Sequence, residues 1–397
     1  MRFFTRARGL GLALVLGLGS GCITARPAVV SADAVVGALR AGKLAWEHPF
    51  RLDEAAAEQV RERLGLHGSE EERLRRAVHF LTSPTGLGFQ YVPQHTLTAR
   101  EAFRAPRGDC MTYAALLHGV ARALEVPTSF ILARQAPLYT EDAEAFLSTG
   151  HIALSAGGGP SPLVVDFAAR LTGWQHLRYE EVEEATAAAL FYNNRAMEAL
   201  LRGQPEQAEA LLRRLLAVVP QVPQLHANLG MVLLRQGRAG EALALLEEAL
   251  RRFPEHPQLW SNTLQAARRA GHFERAEALL AQVERVAGSD PSLHLLRAQE
   301  AWRRRELELA ADHVEQALAV VPDSPLLLAW RVRLLLAGQH TREGLALYAR
   351  LRRDFPSSTW VEELPRHYPE LLAVASSPPL PGAALSRRTK LSPASGP

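Results

Sequence analysis

Apolar residues recur at helical spacing along most of the chain. Helical patterns cover residues 34–66, 73–81 and 110–124, where apolar side chains return every three or four positions. Two short apolar runs, 150–154 and 163–167, flank a loop rich in Gly and Pro, which predicts a β-hairpin. The pattern therefore predicts helices mixed with strands in the first part of the chain.

From about residue 189 the helical pattern repeats itself with a period of 34 residues, as from Pro220 to Pro254. In a stack of paired helices, small residues stand where the helices touch, glycine fits the turn and proline follows a helix end. The spacing predicts five units that begin near 189, 223, 257, 291 and 325. The residues that share the period are Pro220, Pro254, Pro322, Pro356, Gly203, Gly237, Gly271, Ala208, Ala242, Ala276 and Ala310.

This repetition resembles the tetratricopeptide repeat (TPR), whose units stack into a superhelix with a concave binding face. Leu229, Gly230 and Ala249 stand at family positions in the unit 223–254. The resemblance implies that the first helix of each unit lines a groove for a protein or peptide partner. Alternatively, this face packs against the preceding region and binds nothing else. The predicted groove residues are Asn193, Met197, Gln224, Met231, Gln265, Arg268, Gln299, Trp302 and Arg333.

A cysteine opens the amphipathic run at residue 110. Asp109 directly before Cys110 is a predicted N-cap, and the positive end of a helix favours a thiolate over a thiol. Such a thiolate can act as a nucleophile, and the free backbone N–H groups beside it can form an oxyanion site. The alternative is a buried cysteine that packs as a small apolar residue.

The predicted hairpin brings a histidine and a carboxylate together. If Leu154 pairs with Leu163, His151 stands opposite Asp166 on the same face of the hairpin. A carboxylate beside an imidazole fixes its tautomer and stabilises the imidazolium. A register slip of one residue would break this pair, and an ordinary exposed histidine is the alternative.

The motif 108–110, Gly-Asp-Cys, followed by His151 and Asp166 in that order, resembles the transglutaminase-like superfamily. The resemblance spans about residues 70–174. It implies an α+β papain-like fold in which Cys110 is the nucleophile, His151 the general base and then acid, and Asp166 the orienting carboxylate.

The expected oxyanion donors lie at the start of the nucleophile helix and on the segment before it. The backbone N–H of Cys110 is the first, and the region of Gln90 and Tyr91 supplies a second candidate. Ala153 and Phe167 depart from the family pattern, which often has an aromatic residue and a proline at these positions.

The chain begins with basic residues and a short apolar run at 10–18, which is typical of a secretory signal. Small residues before Cys22 resemble a bacterial lipobox. This implies removal of residues 1–21 and a lipid anchor on Cys22, which begins a tether over 22–33. Ile23 stands where an inner-membrane lipoprotein usually has Asp, so the resemblance favours the periplasmic face of the outer membrane. A plain secretory signal with an incidental cysteine is the alternative.

The charge and the cysteine content of the chain limit the kinds of ligand and bond that we expect. The formal charge is +3, but Arg2, Arg6 and Arg8 lie in the predicted signal, so the mature chain is near neutral and nucleic-acid binding is not expected. Cys22 and Cys110 have separate predicted roles, so no intrachain disulfide is expected. The sequence has no metal-ligand spacing and no phosphate-binding glycine loop, and we expect no cofactor or metal.

The predicted organisation is an α+β papain-like, transglutaminase-like domain at 34–186, then an all-α TPR superhelix at 187–372. A disordered tail rich in Pro and Ser follows at 373–397. The leading function is an envelope-anchored cysteine enzyme that acts on protein or peptide amides through an acyl-thioester. If water accepts the acyl group, the enzyme is a protease or deamidase, and if an amine accepts it, the enzyme is a transamidase. The sequence leaves this choice open. The alternative is an inactive adaptor for envelope protein assembly.

Overall fold

The computed structural model describes residues 30–40, 47–92, 94–134, 139–142, 145–148, 151–156, 163–166, 178–286, 291–356 and 358–372. The predicted signal peptide, the lipidation site at Cys22 and the tail at 373–397 lie outside these ranges and stay predictions. Among the helices within these ranges, none is both long and apolar enough to cross a membrane.

Within the described ranges the chain forms sixteen α-helices. They are α1 (Ala32–Arg40), α2 (Glu54–Leu64), α3 (Glu70–Thr82), α4 (Ala99–Arg104), α5 (Cys110–Ala123), α6 (Glu184–Leu201), α7 (Pro205–Val218), α8 (Pro223–Arg235), α9 (Ala239–Arg252), α10 (Pro257–Arg269), α11 (Phe273–Val286), α12 (Pro291–Arg303), α13 (Leu307–Val320), α14 (Pro325–Ala337), α15 (Thr341–Asp354) and α16 (Thr359–His367). A short 3₁₀ helix, Pro369–Leu371, follows α16.

Short strands lie between α3 and α6. They are β1 (Gln90–Tyr91), β2 (Arg107–Gly108), β3 (Thr128–Arg134), β4 (Tyr139–Asp142), β5 (Ala145–Ser148), β6 (Ile152–Ala156), β7 (Leu163–Val165) and β8 (Arg178–Val182). The largest sheet is antiparallel in the order β7-β6-β3-β8, β1 pairs with β2 in parallel, and β4 pairs with β5.

Helix α5 lies at the centre of this first region. It packs against α2, α3 and α4 and against β6 and β3, and Leu116, Leu117 and Val120 are fully buried. A helix that buries nearly all its faces belongs to the interior of a domain rather than its surface. The predicted helix over 110–124 is confirmed, with Leu124 as its C-cap.

The predicted register of the hairpin was wrong by two residues. Leu154 pairs with Val165 rather than Leu163, because β6 continues through Ser155 to Ala156, which pairs with Leu163. The sequence assigned the polar Ser155 to the loop, but its side chain is buried in the sheet. Because side chains alternate with a period of two, a slip of two leaves His151 and Asp166 on one face as diagonal neighbours.

The repeat region forms the predicted helix pairs. The first helices of units two to five begin at proline, and the helices pair as α6–α7, α8–α9, α10–α11, α12–α13 and α14–α15. The 34-residue period is thereby confirmed. The first unit differs, since α6 begins at Glu184 rather than near Ala189.

Helix α1 packs against α6 and α7 of the first repeat, although it falls within the predicted enzyme-like range. The Arg214 guanidinium donates to the carbonyl oxygen of Leu39 at 3.4 Å. A continuous apolar core runs from Ala32 through α5 and into the repeats as far as Leu296. The two regions therefore share buried surface instead of being joined by an exposed linker.

Candidate active site

Cys110 is the first residue of α5, and only 5% of it is exposed. As predicted, Asp109 caps this helix, and its Oδ1 accepts the backbone N–H of Thr112 at 2.9 Å. The first N–H groups of a helix have no partner within the helix itself. The thiol therefore lies at the end of α5 where backbone donors and the helix dipole favour negative charge.

A network of buried hydroxyls fixes the start of α5. Thr96 Oγ1 donates to Asp109 Oδ2 at 2.6 Å, and Thr112 Oγ1 lies 2.9 Å from Asp109 Oδ1. Burial raises the pKa of Asp109, while hydrogen bonds from Thr96 and Thr112 act in the opposite direction. The donors therefore offset part of the effect of burial on this carboxyl group.

Gly108 is required by the close approach of the chain to α5. Its φ is +150°, and a Cβ at this position would lie 2.5 Å from Thr112 Oγ1. Its carbonyl oxygen accepts the backbone N–H of Val92. A side chain here would push β2 away from the start of α5.

His151 lies between Cys110 and Asp166. It is fully buried, and its Nε2 is 2.7 Å from Asp166 Oδ2. The side chain of Cys110 also interacts with this ring. The structure thus brings together the three residues that the sequence proposed as a triad.

The environment of His151 favours the imidazolium. Burial by itself lowers its pKa, but the hydrogen bonds and negative charges of Asp166 and Cys110 outweigh burial and raise the pKa to about 10. A histidine with this pKa is protonated at neutral pH. The arrangement can therefore hold a thiolate–imidazolium pair that is ready for nucleophilic attack.

Tyr179 is a contact of the site that sequence reasoning missed. Tyr179 lies on β8, and its hydroxyl donates to Asp166 Oδ2 at 2.6 Å. The same carboxylate oxygen contacts His151. Burial and the adjacent carboxylate raise the pKa of Tyr179, so the hydroxyl keeps its proton. Nothing in the local pattern of 178–182 pointed to this role, because it depends on β8 pairing with β3.

The two oxyanion candidates on β1 differ in placement. Tyr91 pairs with Gly108, and burial followed by the charges of Cys110 and Asp109 raises the pKa of its hydroxyl. Its strand position therefore places Tyr91 beside the residue pair that precedes α5. Gln90 is exposed, since neighbouring residues of a strand point to opposite faces.

The predicted groove residues lie on the first helices of the repeats, but several are covered. Asn193, Met197, Gln224, Met231 and Gln299 are buried, and Gln265, Arg268, Trp302 and Arg333 are half-buried. The Asn228 amide donates to Asn193 Oδ1 at 2.9 Å, and the Gln258 amide to Asn228 Oδ1 at 3.2 Å. These amides join the first helices of successive repeats to one another.

Strand β5 covers part of this face, because its main chain lies against α8 and α10. The sequence left open that the concave face packs against the preceding region instead of binding a partner. In the second and third units, this contact with β5 agrees with that alternative. Further along, Arg333 lies over the ring of Trp330 at 4.9 Å, and the rings of Trp302 and Trp330 meet edge to face. This aromatic and cationic cluster lies on α12 and α14.

In the part of the chain that the structure describes, no group of three or more His, Cys, Asp or Glu side chains is placed to hold a metal ion. The titratable groups of the site are instead Cys110, His151, Asp166, Tyr91 and Tyr179. They suit covalent acyl chemistry, which needs only a nucleophile, a base and an oxyanion site.

Two family models for the tetratricopeptide repeat match this chain, at residues 193–257 and 233–300. The chain therefore contains tetratricopeptide repeats, as the 34-residue period predicted. No curated protein matched the chain.

Several solved structures are similar to part of this chain. TTC0263, a TPR protein of Thermus thermophilus, is 24% identical with a TM-score of 0.38, over 46% of this chain and 99% of that chain. The pilF protein of Pseudomonas aeruginosa is 20% identical with a TM-score of 0.33, over 46% and 86%. PilW, a type IV pilus biogenesis factor, is 20% identical with a TM-score of 0.35, over 44% and 82%.

Proposed function

We propose that this repeat protein is a cysteine-dependent acyl-transfer enzyme with a transglutaminase-like, papain-like domain. The observation that carries the proposal is the position of His151, which contacts Asp166 through Nε2 and also interacts with Cys110. A buried cysteine that served packing alone would need no imidazole and no carboxylate behind it. The substrate class is a protein or peptide carboxamide.

The reaction follows from the roles that these groups can take. The Cys110 thiolate attacks the amide carbonyl carbon, and the backbone N–H of Cys110 donates to the developing oxyanion. The His151 imidazolium then protonates the leaving nitrogen as the C–N bond breaks, which leaves an acyl-thioester. Water or an amine loses a proton to His151 and attacks the thioester, and Sγ leaves as the thiolate. Asp166 holds the imidazole in orientation throughout.

The repeats indicate a role in binding proteins, and we assign partner binding to the end of the array formed by α12 and α14. The half-buried Trp302 and Arg333 keep part of their surface there for a partner, and the buried ring of Trp330 packs against both. Tryptophan and arginine are the residues that contribute most to protein interfaces. A partner held at these helices would be presented to an enzyme in the same chain.

The test is acylation of the full chain by p-nitrophenyl acetate. We expect the wild-type protein to release a burst of about one equivalent of p-nitrophenolate, because the thiolate takes the acetyl group before the thioester turns over. Cys110→Ser should abolish the burst, and Cys22→Ser should leave it unchanged. A wild-type protein that releases p-nitrophenolate no faster than Cys110→Ser would refute the enzyme and favour the adaptor function.

We further propose that Cys22 carries a lipid anchor that holds the protein at the envelope, on the periplasmic face of the outer membrane. The small residues before Cys22 and the short apolar run before them support this. A clickable fatty acid fed to expressing cells should label the protein. Labelling that persists in Cys22→Ser would contradict the anchor.

A further inference from the structure

Thr96 joins the first repeat helix to the start of the nucleophile helix. It is 1% exposed, and its hydroxyl donates to Asp109 Oδ2 at 2.6 Å. Its backbone N–H donates to Glu198 Oε1 at 2.6 Å, and its carbonyl oxygen accepts from the Arg195 guanidinium at 2.8 Å. All three polar groups of this residue are therefore engaged, one with α5 and two with α6.

Arg195 and Glu198 are held in place by further charges. They are three residues apart on α6, so both point to one face of the helix. Glu198 lies 3.6 Å from Arg202, and Arg195 lies 3.9 Å from Glu101. The side chain of Glu198 is only 10% exposed, so its contact with Thr96 is shielded from solvent.

The contact reaches the nucleophile through a single residue. Asp109 accepts the Thr96 hydroxyl through Oδ2 and caps α5 through Oδ1, and Cys110 follows it directly. Without the hydroxyl, the buried Oδ2 of Asp109 loses its donor, so this side chain must turn away or find another partner. Either change loosens the first turn of α5, which carries the backbone N–H of Cys110.

We propose that Thr96, clamped by Arg195 and Glu198 of the first repeat, is a positioning residue that sets the oxyanion geometry at Cys110. The repeat array is then part of the active-site framework in addition to its binding role. This inference rests on the proposed function, because it concerns the acylation step of that reaction.

The experiment compares two reactions of the same thiol in the full chain. Acetylation by p-nitrophenyl acetate passes through an oxyanion, whereas alkylation by iodoacetamide displaces iodide and forms none. Both are measured at Cys110 in a Cys22→Ser background. A general loss of folded protein or of thiolate lowers both rates together, so the ratio of acetylation to alkylation reports the oxyanion geometry.

Thr96→Val should lower this ratio about tenfold or more, given that loss of a whole oxyanion donor costs about 10²–10³ in rate. Glu198→Ala should lower it in the same direction, because it releases the backbone of Thr96 from α6. Thr96→Ser keeps the hydroxyl and should restore the wild-type ratio. Should Thr96→Val fail to fold, Glu198→Ala carries the test alone.

The matched control is Glu209→Ala on α7. Glu209 is also a mostly buried carboxylate of the array, but it pairs with Arg213 at 2.8 Å and Arg238 at 2.7 Å, both of which belong to the repeats. Its loss should therefore leave the ratio unchanged. A wild-type ratio in both Thr96→Val and Glu198→Ala, with an intact wild-type burst, would overturn this inference alone. Absence of the burst in the wild type would overturn the proposed function and this inference with it.

Discussion

Iodoacetamide should alkylate Cys110 well below pH 8.5, the region where an ordinary thiol of pKa about 8.5 becomes reactive. His151→Ala should move the profile to higher pH and lower labelling at pH 6 by about tenfold or more. Peptide mass spectrometry reads the label at Cys110 separately from any label at Cys22.

The physical reason is the charge of His151. Its pKa is raised to about 10, because the hydrogen bonds and charges of Asp166 and Cys110 outweigh the effect of burial, which lowers it. The sign follows directly: below pH 10 the ring carries a positive charge beside the sulfur, and that charge stabilises the thiolate. In His151→Ala the cation is absent, so the sulfur loses the charge that favours its nucleophilic form.

His118→Asn is the matched control for this experiment. His118 is a second histidine with a largely buried ring, on α5 itself, and its Nδ1 lies 2.9 Å from Thr128 Oγ1. Burial lowers its pKa to about 4, and the nearby Arg122 acts in the same direction, so the ring is neutral at neutral pH. Its replacement should leave the labelling profile in place. A profile that is unchanged in His151→Ala would contradict the catalytic role of the pair.

Local features of the chain were predictable because they depend on neighbouring residues. The cap at Asp109 needs only a short polar side chain before an apolar helical run. The 34-residue period reflects the positions at which paired helices touch and turn, so it can be detected in the sequence before the tertiary structure is known. Helix α5 and the repeat pairs were accordingly found at nearly the right bounds.

Contacts between distant segments were not predictable in the same way. Tyr179 reaches Asp166 only because β8 pairs with β3 on the side opposite β6, an order that no local pattern encodes. Thr96 and Glu198 are 102 residues apart in sequence. Side chains that orient the candidate site from other elements thus escape prediction from periodicity and motif.

The hairpin error shows which inferences survive a wrong register. The predicted partner of Leu154 was incorrect, yet His151 and Asp166 still lie on the same face of the hairpin because the slip was even. The groove prediction was more fragile. It assumed an open concave face, whereas β5 lies against α8 and α10 and several of the assigned side chains are buried.

Gly230→Trp should cause the largest loss of stability of any change considered in the repeats. A Cβ at Gly230 on α8 would lie 2.5 Å from the side chain of Leu246 on α9, which is fully buried. Even Gly230→Ala must therefore displace the buried Leu246 side chain or shift α8 against α9, at a cost of about 1–3 kcal/mol for an overpacked core. The indole of Trp is far larger and should cost more than that.

Thermal melting of the full chain measures the effect. Far-ultraviolet circular dichroism follows the loss of helix. The matched control is Gly240→Ala on α9, where a new Cβ meets nothing within 4 Å. Removing a glycine from an exposed helical position should stabilise the fold by about 0.5–1 kcal/mol, so the control should melt at or above the wild-type temperature. The three variants should therefore rank as Gly240→Ala, then Gly230→Ala, then Gly230→Trp in falling melting temperature. If Gly230→Trp melted with the wild type, α8 and α9 would not be in close contact, and the pairing of helices within the unit 223–254 would be wrong.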